Sequence, residues 1–138
     1  MSAENVAVVK GIYDAFARGD VASVLGRMSS DIVWMEAENF PYADGNPYCS
    51  PGTVAAGVFA RCVGEWNGFG VEMSDLIDGG DRVVALGRYS GRHKQTGQRM
   101  NPQAVHVWTL KDGKVTAFQQ YIDTLAVARA YGSLPEAS

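Results

Sequence analysis

The chain has 138 residues, 46% of them hydrophobic and 20% charged, the make-up of an ordinary globular domain with room for one core. Its net charge of -3, with the basic residues scattered, excludes the clustered positive footprint of a nucleic-acid binder. No apolar run reaches the about 18 residues of a membrane span, and the opening MSAENVAVVK lacks the basic and apolar regions of a secretion signal, so a cytoplasmic location without membrane partners is expected.

The first element is predicted helical, with Val6, Val9, Tyr13 and Phe16 at three- and four-residue spacing and Ile12 and Ala17 widening the same face. Gly19 suits a left-handed helix end, and Asp20 is placed to cap a second helix carrying Val21, Val24, Leu25 and Met28. The stretch 31-DIVWME-36 reads as a strand, with Trp34 and Glu36 on one face and Val33 and Met35 on the other. A loop rich in proline and glycine follows, and Ser50 before Pro51 has the form of a helix entry. Val54, Val58 and Cys62 supply the buried stripe of that third helix, which fades by Gly64.

The remainder reads as antiparallel sheet. Two strands flank the Asp-Gly-Gly-Asp turn within 71–93, and a second turn at Lys94 to Gln98 leads to a strand for which Pro102 marks a beginning or an edge. The Asp112-Gly113 pair between alternating runs is a strong hairpin signal. After the last strand, a short helix closes the chain at Gly132, and 133–138 is expected to fray. Helices gathered on one side of a curved antiparallel sheet make an α+β fold.

The hairpin turn also sets an expected register. With a two-residue turn, Lys111 faces Lys114, His106 faces Gln119, Trp108 faces Ala117 and Ala104 faces Tyr121. One face then carries His106, Gln119, Tyr121 and Asp123 beside Trp108, while Val105, Val107, Phe118 and Ile122 share the other. A bulge would shift this pattern by one residue. Large aromatics are poor candidates for a solvated face, so the polar side is expected to line a cavity roofed by helices.

Two cysteines, Cys49 and Cys62, are too few for a disulfide framework. With only His93 and His106, and neither an HExxH motif nor a His/carboxylate cluster, neither metal nor cofactor is expected.

The pieces 13-YDAFARGD-20, 31-DIVWME-36, 51-PGTVAAGVFARCV-63, 78-DGGDRVVALGRYSG-91 and 105-VHVWTLKDGKVTAFQQYIDT-124 span nearly the whole sequence in one order. Together they resemble the SnoaL-like branch of the nuclear transport factor 2-like superfamily, relatives of ketosteroid isomerases and polyketide cyclases. The resemblance implies one SnoaL-like domain over 1–132, a cone-shaped α+β barrel with a deep pocket, and a homodimer formed through the outer face of the sheet. It does not name a reaction, because these relatives include isomerases, cyclases, hydratases, epoxide hydrolases and members without catalysis.

Ketosteroid isomerases pair a carboxylate base with a tyrosine and a protonated acid that hold the developing oxyanion. By resemblance the base position falls on Glu36, the helix tyrosine position on Ile12, and the protonated acid close to His106. The cyclases' last-strand aspartate falls on Gln119 or Gln120, unless Asp123 replaces it. No arginine flanked by two acids sits on the strands that the epoxide-hydrolase pattern requires.

The candidate catalytic residues are therefore Asp123, His106, Tyr121 and Glu36. Trp34, Tyr42, Phe59, Tyr89, Trp108 and Gln119 are candidate contacts to a small hydrophobic, flat or cyclic ligand. Each has a purely structural alternative. His106 can be a core histidine satisfied by neighbours, Tyr121 a packing residue and Glu36 an exposed strand end. Asp123 caps the last helix if Thr124 is the first helical residue, and faces the pocket if Thr124 takes the cap. The expected function is cofactor-independent proton transfer next to a carbonyl, of isomerase or cyclase type. The alternative is a non-catalytic ligand-binding or dimerisation module.

Overall fold

In the computed structural model, which describes residues 2–134, the Ser2 hydroxyl accepts from the Asn5 N–H and opens helix α1 (Ala3–Ala17). The Asp78 carboxylate accepts from the Ser2 N–H at 2.8 and 3.0 Å, pinning that helix start to a corner of the sheet. Gly19, at φ 75°, ends the helix, and Asp20 caps α2 (Val21–Gly26) by accepting from the Ser23 N–H. Strand β1 (Met28–Met35) begins three residues earlier than the β-branched run alone predicts.

Beyond a 3₁₀ turn at Pro41–Gly45, α3 (Pro51–Val54), a π-helical turn (Ala55–Phe59) and α4 (Ala60–Glu65) follow without a break. Ser50 and Thr53 cap the start reciprocally. Val54, Val58 and Cys62 form the buried stripe that their spacing predicts. A Cβ on Gly57 would lie 2.2 Å from the Tyr48 ring, so glycine is what lets that ring slide under the helix.

The sheet adds β2 (Trp66–Asp78), β3 (Arg82–His93), β4 (Arg99–Met100), β5 (Gln103–Lys111) and β6 (Lys114–Ile122). Its order is β1-β6-β5-β3-β2, with β4 beside β3; β1 joins β6 in parallel and the other pairs are antiparallel. Bulges between Asn67 and Gly70 and between Met73 and Asp75 bend β2. Opposite the second bulge, a Cβ on Gly87 would sit 2.0 Å from the Glu72 carbonyl oxygen, so only glycine permits this approach of two backbones. The sheet curls around α1 and the third helical segment, and its inner face carries the core.

The last hairpin departs from the expected register. Asp112 and Gly113 turn at φ 52° and 75°, and Lys111 pairs with Lys114 as expected. Leu110 then pairs with Val115 but Thr109 with Ala117, leaving Thr116 as an extra residue in β6. Beyond this bulge His106 faces Gln120, Trp108 faces Phe118 and Ala104 faces Ile122. Side chains alternate with a period of two, so one added residue exchanges the inner and outer sets of β6. Phe118 and Gln120 turn inward; Gln119 and Tyr121 do not.

Helix α5 (Thr124–Tyr131) follows β6 and ends at Gly132, at φ 80°. The described part of the tail expected to fray is 133–134; residues 135–138 lie outside the described residues.

Candidate active site

Between α1, the third helical segment and the curled sheet lies a pocket with a cavity volume of about 50 Å³. Its walls are mostly aromatic and aliphatic, with Phe16, Phe59, Phe69, Trp108 and Phe118 among them. Trp34 stacks on Phe118 with centroids 3.7 Å apart and meets Phe59 and Trp108 edge-on, which fixes the rings of the floor.

A chain of polar side chains crosses this apolar wall. Trp108 Nε1 donates to the Tyr13 hydroxyl at 2.9 Å. That hydroxyl lies 2.6 Å from His106 Nδ1, and the Tyr89 hydroxyl lies 2.5 Å from His106 Nε2. Gln120 Nε2 donates to the Tyr89 hydroxyl at 2.9 Å, while its Oε1 accepts from the Ala37 N–H at 3.0 Å. Helix α1 and strands β3 and β6 contribute one member each and β5 contributes two, and every one lines the pocket. Burial without a charged partner pushes the His106 ring down to about 3, so it is neutral at physiological pH. Burial likewise raises both tyrosine hydroxyls, which therefore keep their protons.

Glu36, the first residue past β1, is 3% exposed. Its backbone is held by Asn46, which accepts from the Glu36 N–H at 2.9 Å and donates to the Glu36 carbonyl at 2.8 Å. Burial pushes the carboxyl up to about 8; the Trp34 indole N–H and the Arg61 charge oppose the shift without cancelling it. That N–H is buried, and apart from this weak approach to the Glu36 carboxyl it has no hydrogen-bond partner among the described residues. Arg61 is itself engaged, ion-paired to Asp44 at 2.8 Å and stacked over the Tyr42 ring. A carboxyl that titrates near neutrality beside an apolar cavity is suited to exchanging a proton with a bound molecule. Cys62 lines the same pocket, but burial holds its thiol protonated.

Of the candidate residues, Glu36, His106, Trp34, Phe59, Tyr89 and Trp108 converge on this pocket. Tyr42 does not line it; its hydroxyl accepts from Trp66 Nε1 at 3.0 Å, bracing the wall from behind. The bulge at Thr116 corrects the placement of three others. Tyr121 is 57% exposed, and together with Gln119 it lines an outer cleft that Glu36 also borders from its other side. Asp123 takes the helix cap, accepting from the Ala126 N–H at 3.3 Å with Thr124 as the first helical residue.

Residues 9–118 match the family described as the SnoaL-like domain. This chain belongs to that family. Among solved structures it is similar to a nuclear transport factor 2-like protein of Burkholderia thailandensis, 35% identical with a TM-score of 0.88, over 95% of this chain and 98% of the other. A Burkholderia xenovorans protein of the same description is 30% identical with a TM-score of 0.81, over 94% and 97% of the two chains. TerC, whose structure was solved after co-crystallisation with polyporic acid, is 25% identical with a TM-score of 0.83, over 95% and 100%. No curated protein matches the sequence.

The SnoaL-like pocket also holds two polar residues that sequence reasoning did not select. Tyr13 belongs to the apolar stripe of α1, and Ile12 beside it lines the pocket too, so counting along the helix cannot choose between them. Gln120 is 1% exposed, and only the bulge reveals that it, not Gln119, faces His106. A polar tip within each apolar stripe was the available signal.

Proposed function

We propose that this SnoaL-like chain is a cofactor-independent enzyme that moves a proton next to a carbonyl on a small hydrophobic substrate, in the manner of an isomerase or cyclase. The observation that carries the reading is Glu36: a buried carboxyl raised to about 8, in a pocket whose other polar groups are neutral hydrogen-bonding side chains. In this scheme the Glu36 carboxylate removes a proton from carbon adjacent to the carbonyl, and the electron pair moves onto the carbonyl oxygen. A tyrosine hydroxyl of the polar chain donates to that oxygen, where a dry, preorganised donor counts for more than it would in water. Glu36 then returns the proton, to the same carbon or to another. His106, neutral above about pH 3, orients the tyrosines and is not the acid or base.

Co-crystallisation of TerC with polyporic acid supports small-molecule binding by this fold. Exposure of Val33 at 44% and Tyr121 at 57% on the outer sheet face supports a homodimer formed there, which sedimentation velocity tests directly.

The deciding experiment is deuterium exchange into cyclic ketones and enones from heavy water, comparing wild type with Glu36→Gln. The expected result is exchange by wild type and a loss of about 10²-fold or more in the variant. Equal exchange by both proteins would remove Glu36 from the chemistry. No exchange with any substrate would leave the ligand-binding module as the better reading.

A further inference from the structure

The hydrogens in the polar chain can be counted. Trp108 Nε1 can only donate, so the Tyr13 oxygen accepts from it. The Ala37 N–H can only donate, so it fixes the Gln120 amide with Oε1 towards Ala37 and Nε2 towards Tyr89. The Tyr89 oxygen therefore accepts as well. Three hydrogens remain on the central triad, one on each tyrosine and one on the neutral imidazole. The two tyrosine–histidine bonds consume two of them. One hydroxyl hydrogen is left over.

Its position follows from exposure. Both tyrosines line the pocket, but Tyr89 is 5% exposed and its bonds to His106 and Gln120 are buried. Tyr13 is half-buried, and the bonds its hydroxyl makes to Trp108 and His106 are only partly buried. A free hydrogen on Tyr89 would sit at the more deeply buried end of the chain, whereas on Tyr13 it sits at the less buried end, where water or a ligand reaches it at lower cost.

We propose that His106 is fixed as its Nδ1–H tautomer, so that every donation runs one way, from Gln120 to Tyr89 to His106 to Tyr13, and the Tyr13 hydroxyl alone is free to donate to a ligand. His106, Tyr89 and Gln120 are then positioning residues that act through Tyr13. Accepting from both Trp108 and His106 polarises the Tyr13 O–H and makes it a better donor. From this donor the polar chain takes a ligand with a single uncharged acceptor oxygen. The ligand class rests on the proton-transfer reading above; the tautomer rests on the hydrogen-bond geometry alone.

The test is nitrogen NMR of protein carrying ¹⁵N-labelled histidine rings, which reads separately which ring nitrogen bears hydrogen. In wild type His106 is expected to show a protonated Nδ1 and a bare Nε2. His93 should show the opposite pattern, because its Nδ1 accepts from the Thr96 N–H at 3.4 Å, and so serves as the internal control. Tyr89→Phe should leave His106 as Nδ1–H. In Tyr13→Phe the Tyr89 hydroxyl still donates to Nε2, and a switch would strand that hydroxyl hydrogen, so Nδ1–H should persist there too. Finding Nε2–H or both nitrogens protonated, in wild type or in Tyr89→Phe, overturns the proposal. Neither result depends on activity, so a protein that exchanges no ketone but shows this pattern would sink only the proton-transfer reading.

Discussion

Glu36→Gln tests the energetics of the site independently of any substrate. An exposed glutamate loses its proton near 4.5, whereas burial holds Glu36 protonated up to about 8. Between those values the unfolded chain binds fewer protons than the folded one, so stability falls as pH rises, by about 1.4 kcal/mol per pH unit. Across the interval from 4.5 to about 8 the loss comes to about 5 kcal/mol, comparable with the whole stability of a small domain. Glutamine occupies the same volume and does not titrate, so the variant lacks this slope. His106 acts in the opposite direction: lowered from 6.5 to about 3, it makes wild type lose stability as pH falls through that interval. Between 4.5 and 6.5 the two slopes cancel, and wild type should show a plateau there. Urea unfolding across the pH range gives the assay. The stability of Glu36→Gln minus that of wild type, in which the His106 contribution drops out, should climb steadily from 4.5 to about 8 and then level off. A flat difference would mean that Glu36 is not held protonated by burial.

Because the base form of Glu36 must be ionised, exchange into a ketone should rise about tenfold per pH unit on the acid side and level off above about 8. A pH–rate profile with an inflection near an ordinary histidine value would contradict the passive role of His106. Asp123→Ala should cost about 1 kcal/mol in urea unfolding through loss of the helix cap and leave exchange unchanged, while Asp123→Asn keeps the cap. A fall in exchange in a folded Asp123→Asn would return that residue to the chemistry. Gly87→Ala drives a Cβ against the Glu72 carbonyl, which cannot move without breaking the β2–β3 pairing, so unfolding should weaken by about 2 kcal/mol or more. A neutral result would show that the bend in β2 is not fixed at this residue.

The sequence by itself determined the elements. Gly19-Asp20, Ser50-Pro51 and Asp112-Gly113 act on their own neighbours, and each made the helix end, cap or turn that its chemistry requires. Alternation along β1 put Trp34 and Glu36 on one face, so the carboxyl was legible as a site candidate. Tertiary structure decided the partners. Thr116 carries no local mark of a bulge, yet its extra position turns Gln120 and Phe118 inward and leaves Gln119 and Tyr121 outside. Tyr13 reads in sequence as one more member of an apolar stripe; it becomes part of a site because Trp108 and His106, more than ninety positions along the chain, meet its hydroxyl. Asp123 was open between cap and pocket until the register behind it was known. Local rules fix what a residue does to its own backbone, but a pocket is assembled from different elements, and a one-residue change of register in a strand changes which side chains reach it.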